Sequence, residues 1–152
     1  MRLFTTFAVV FSVLLASCAG SSSDERKDGY SEVPKNPEDS LFQDVMRLHD
    51  TAMSKMKKLA NYSSELTSRI DSLKKTRSSA KESLTKKYSE LRADLQQAET
   101  NMNTWMEKFS IDSAQDDTKR RIAYLESEKS KVSQVKDEIL AALSKADSAL
   151  KK

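Results

Sequence analysis

Met46, His49, Met53 and Met56 stand at i, i+3, i+7 and i+10. At about 100° per residue, a helix gathers those positions into an arc of about 80°. Thioether sulfur is a soft donor that selects copper(I), and imidazole also suits copper. Further along, Met102, Trp105 and Met106 set two more thioethers around an indole, whose π face attracts a cation. If the chain brings the two stretches together, these residues compose a copper(I) site. The competing reading is packing, because methionine fills irregular gaps in an apolar core.

The first residues point to a different chemistry. Met1-Arg2 is a short basic start, and Leu3 to Ala16 is apolar or hydroxylated. That run is too short for a spanning helix, which needs about 20 apolar residues. It has the form of a secretory signal peptide over residues 1–17. Leu15-Ala16-Ser17-Cys18 then resembles the lipobox of bacterial lipoproteins. The resemblance implies cleavage between Ser17 and Cys18, a diacylglycerol on the Cys18 sulfur and acylation of the new N-terminus. An ordinary signal peptide with an incidental cysteine is the alternative. In an exported protein, however, a lone cysteine has no intramolecular disulfide partner. Several acyl chains, each adding about 0.8 kcal/mol per buried CH₂, hold a protein at a membrane.

Little else in the chain is equipped for catalysis. Covalent catalysis needs a nucleophile beside a positioned base. His49 is the one histidine, and the one cysteine is Cys18, which the lipobox commits to lipid. The serines stand in no catalytic motif, the carboxylates mingle with lysine as on solvated helix faces, and zinc-type Cys/His spacing is missing. The expectation is a protein that is not an enzyme and needs no cofactor beyond the covalent lipid, with copper(I) as the alternative.

Charge sets further bounds. Losing Arg2 with the signal leaves 25 basic against 23 acidic side chains, a balance that predicts no nucleic-acid partner. All the glycine and proline (Gly20, Gly29, Pro34 and Pro37) precedes residue 38. The chain from Glu38 onward is rich in Ala, Glu, Lys, Leu, Arg and Ser, the composition of long helices.

Apolar spacing locates the helices that would carry the candidate site. Residues 18–38 are polar and aperiodic and read as a flexible tether, leaving 39–152 as the helical domain. Leu41, Val45, Leu48, Ala52, Met56, Leu59, Leu66, Ile70 and Leu73 mark a helix over about 40–76. Thr76 to Ser79 lacks apolar residues, and Ser79-Ala80-Lys81-Glu82 fits a capping box, so a turn is expected there. Leu84, Tyr88, Leu91, Leu95, Ala98, Met102, Trp105 and Phe109 alternate by four and three, an a/d seam over 79–109. Asp112, Asp116 and Asp117 favour the N-terminus of a third helix over 116–150. That helix carries Ile122, Leu125, Val132, Val135, Ile139, Leu143, Ala146 and Leu150. Each helix owns one apolar stripe, and an antiparallel three-helix bundle buries all three. A long dimeric coiled coil is the competing solution if the helix runs through Ser78.

Three stretches carry a wider resemblance. They contain Val45-Met46, His49-Asp50, Met53 and Lys55-Met56; Trp105-Met106-Glu107-Lys108-Phe109; and Tyr124-Leu125-Glu126-Ser127-Glu128-Lys129. On these the chain resembles short helical lipoproteins of Bacteroidota-type bacteria that often bear the label "viral A-type inclusion protein". The resemblance spans residues 40–150 and agrees with the lipoprotein start. It implies a helical fold and an envelope compartment. The label reflects coiled-coil similarity to a viral protein, and the resemblance brings no activity, substrate or cofactor.

The expected whole is a non-enzymatic lipoprotein of the cell envelope. It is anchored in the outer membrane facing the periplasm and contacts an envelope protein or a second copy of itself. Asp24-Glu25, soon after the cysteine, makes cell-surface display the runner-up.

Overall fold

The computed structural model describes residues 33–151, which form three helices and no strand: α1 (Pro37–Lys74), α2 (Lys81–Lys108) and α3 (Thr118–Leu150). The expected signal peptide, residues 1–17, and residues 18–32 of the expected tether, Cys18 included, lie outside the described residues.

Each helix starts for a local reason. Asn36 is extended and its side chain accepts from the Asp39 amide at 2.8 Å. Pro37 takes the first turn, where its missing N–H costs nothing and its fixed φ suits a helix. Pro37 and Glu38, the last two residues of the expected tether, are therefore the first two of the helix. Asp117 caps α3 by accepting from the Lys119 and Arg120 amides at 2.9 and 3.0 Å, as the acidic run suggested. The expected capping box at Ser79 does not form. Ala80 is the N-cap residue, in αR conformation and with no side-chain cap. The chain enters α2 already coiled, with the Lys81 amide bonded to the Ser78 carbonyl at 3.1 Å. A serine cap needs extended backbone at the cap position, and this entry does not provide it. The break is real nonetheless. It is closed by Lys81 Nζ, which donates to the Lys74 carbonyl at the end of α1 at 2.9 Å.

Cross-helix pairs give the topology. His49 meets Met106, and Arg69 lies by Tyr88, so α1 and α2 run antiparallel. Trp105 meets Glu128, and Asp94 meets Lys145, so α2 and α3 are antiparallel as well. Lys129 donates to Asp44, and Tyr62 donates to Asp147. Both of those pairs are 85 residues apart, which fixes α1 and α3 as parallel neighbours in one register. Each helix touches both others.

Heptad geometry sets the core. Val45, Ala52, Leu59 and Leu66 of α1 are fully buried at seven-residue intervals, and so are Leu125, Val132, Ile139 and Ala146 of α3. A strict repeat of seven keeps one seam facing its partners along a supercoiled helix. Between them α2 inserts Leu95, Ala98, Met102 and Trp105. The outer members of the α2 seam, Leu84, Tyr88, Leu91 and Phe109, are half-buried. All three stripes are thus consumed within one chain. The bundle has a near end, where the N-terminal sequence enters beside the α2–α3 loop, and a far end at the 75–80 turn and the C-terminus.

Candidate functional site

The near end holds a row of four rings drawn from all three helices and the α2–α3 loop. His49 of α1 lies 5.7 Å from Trp105 between ring centroids, Trp105 stacks on Phe109 at 4.9 Å, and Phe109 faces Tyr124 at 6.2 Å. The α2 seam ends on Trp105 and Phe109, so its four-residue spacing sets both aromatics on one face. Tyr124, in the second turn of α3, reaches the loop: its hydroxyl accepts from the Ser110 amide at 2.7 Å. Arg121 sits over the Tyr124 ring at 5.9 Å and donates to the Ser113 carbonyl at 2.8 Å. Those two contacts clamp a loop in which Ala114 adopts φ 56°, a left-handed conformation that disfavours any residue bearing a Cβ.

Beneath the rings lies a buried carboxylate. Glu128 is 4% exposed and accepts from Trp105 Nε1 at 2.9 Å through one oxygen. Its other oxygen accepts from Lys131 Nζ at 2.7 Å. A buried indole N–H needs a partner and a buried carboxylate needs donors, and this arrangement satisfies both. Arg121 is buried too. Sequence reasoning passed over both residues, because a charged side chain reads as surface. The heptad register held the signal. Arg121, Glu128, Val135, Ala142 and Ala149 share one seam position, seven apart, and all but the half-buried Val135 are buried.

The soft-donor residues divide. His49, Trp105 and Met106 come together, with His49 Nε2 3.4 Å from Met106 Sδ. Met102 is fully buried in the core, and Met56 packs at its margin. Met46 is half-buried, and Met53 turns toward solvent at 37% exposed. The opposite edge of the imidazole is occupied: Nδ1 lies 2.8 Å from Asp50 Oδ1. Among the described residues, no cluster of three His, Cys, Asp or Glu side chains assembles as a metal-binding group. The thioethers are a separate class of donor. Chemically, this end offers a histidine nitrogen and a thioether converging beside an indole, with a clamped loop behind them.

Searches against protein-family models, curated proteins and solved structures find no match to the chain.

Proposed function

We propose that the chain is a lipid-anchored, non-enzymatic bundle of the cell envelope. It acts through contacts between its helix surfaces and an envelope protein or a second copy of the chain. The observation that carries this reading is the placement of Leu15-Ala16-Ser17-Cys18 directly after a short apolar run. The bundle adds support, since its apolar seams are spent on one another and its outer faces are rich in mixed charge. Among the described residues, no helix is long and apolar enough to cross a membrane. In this reading, attachment is the work of acyl chains on Cys18, which hold the bundle by its near end. The outer membrane, with the bundle facing the periplasm, is the proposed location.

Metabolic labelling with a fatty-acid probe tests the anchor. The parent protein takes up label and stays in the membrane fraction, whereas Cys18→Ser takes up none. Equal labelling of parent and Cys18→Ser would sink this reading. Cross-linking in intact envelopes then identifies the surface contact, and protease treatment of whole cells reports which face the bundle occupies.

A further inference from the structure

We propose that His49 Nε2 and Met106 Sδ anchor a copper(I) site walled by the Trp105 indole. Asp50 accepts only, so the 2.8 Å contact places a hydrogen on Nδ1. The ring's other nitrogen, Nε2, faces the Met106 sulfur at 3.4 Å. An imidazole nitrogen and a thioether sulfur set this close can share one soft cation. Bond lengths of about 2.0 Å to nitrogen and 2.3 Å to sulfur, as in comparable metal sites, give a nitrogen–metal–sulfur angle of roughly 105°. At those bond lengths a single ion would bridge the two donors from beside the nitrogen–sulfur line.

The surroundings match what such a site needs. A metal-bound histidine almost always gives its other N–H to a carboxylate or carbonyl, which fixes the tautomer and the ring orientation. Asp50 stands in that position. A thioether paired with an imidazole selects copper(I) over hard divalent ions. The indole adds the attraction of its face for a cation. The imidazole lies beside Trp105 at the head of the row of rings and keeps 18% of its side chain exposed. A protonated His49 donating from both nitrogens would satisfy the same two contacts with no metal at all, and that is the rival account to test.

This inference goes beyond the anchored-bundle reading and does not depend on it. The experiment uses the full protein extracted in detergent, kept oxygen-free with ascorbate, and titrated against a chromophoric copper(I) chelator. The chain has one tryptophan, so quenching of its fluorescence reports binding at Trp105 itself. The parent is expected to draw copper(I) from micromolar chelator and to lose indole fluorescence as it does so. His49→Ala and Met106→Leu should each weaken retention at least about tenfold, and Asp50→Ala by roughly tenfold as the orienting partner. Met53→Leu should compete like the parent, and zinc(II) should leave the fluorescence unchanged. Met106→Leu nearly conserves volume, and far-ultraviolet circular dichroism confirms that each variant is folded. The site assignment is overturned if the parent fails to compete, or if His49→Ala and Met106→Leu bind as the parent does. Equal loss in Met53→Leu, or equal quenching by zinc(II), overturns it too.

Discussion

The two ends of the bundle close the same three seams by different means. At the near end one seam position of α3 carries Arg121 and Glu128, both buried, whereas toward the far end the same position carries Ala142 and Ala149. The near end is built of rings and a buried carboxylate, with a loop held down by side chains. The far end is built of half-buried Leu73, Leu84, Tyr88 and Leu150, ringed by ion pairs such as Arg69–Glu65 and Lys151–Asp147. Closing a helical bundle needs only what the far end has. A buried charge is a poor means of gaining stability, so the polar furnishing of the near end points to precise placement of Trp105 and the rings beside it. This difference is why the candidate site is assigned to that end.

The largest test of the contrast removes its centre. Trp105→Ala deletes a buried aromatic from the core and should cost about 3–5 kcal/mol. At the far end, Leu84→Ala removes a half-buried side chain and should cost less than about 2 kcal/mol. Urea unfolding followed by circular dichroism measures both. Equal losses would erase the energetic distinction between the ends.

A smaller effect isolates the carboxylate. Glu128→Leu leaves the Trp105 N–H buried without an acceptor, at a cost of about 1–3 kcal/mol. Glu128→Gln keeps an acceptor oxygen and should recover most of that loss. Removing both partners, in Glu128→Leu with Trp105→Phe, should cost less than the two single changes added together, because no donor is then stranded. Strict additivity would mean that the 2.9 Å contact contributes nothing.

How much of the bundle and its near end is legible in the sequence depends on the kind of signal each residue gives. Apolar periodicity located all three helices and their antiparallel arrangement, because burying a stripe is the dominant force and leaves a regular trace. The break near Ser78 was legible from missing apolar residues, although its chemistry was not: a cap depends on backbone angles that no residue type guarantees. The seam spacing does not grade burial along its length: Leu91 is a regular member of the α2 seam and is half-buried. Leu95, four residues on, is the fully buried member. The meeting of His49 with Trp105 follows from the hairpin. Turning Met53 outward while His49 reaches Met106 depends on the rotation of α1 about its axis, which packing sets. Arg121 and Glu128 stayed hidden because hydrophobicity cannot mark a buried charge, and only the register of their neighbours could reveal them.

The smallest effect concerns the ties between the parallel helices α1 and α3. Each half has a tie centred on one carboxylate: Lys129 donates to Asp44 toward the near end, and Tyr62 donates to Asp147 toward the far end. The Lys129 hydrogen bond holds the Asp44 carboxyl below its ordinary range. Asp147 is lowered from 3.8 to about 2, first by its hydrogen bond from Lys151 and then by that from Tyr62, with the charge of Lys58 adding to the effect. In both cases the folded state favours the charged form, so the unfolded chain binds a proton more readily. Stability from the bonds to these two carboxylates is therefore fully present above about pH 4 and drains away as acid protonates them. For Asp147 the loss runs from about pH 4 down to about pH 2. Asp147→Asn keeps an acceptor for Tyr62 but has no carboxyl to protonate, so its urea midpoint should fall less between pH 5 and pH 2.5 than that of the parent. Asp44→Asn should flatten the same profile by a smaller amount. If Asp44→Asn flattens it more, the acid-sensitive tie belongs to the near end. The electrostatic contrast between the two ends would then be reversed, while the ends would still differ in how they close the core.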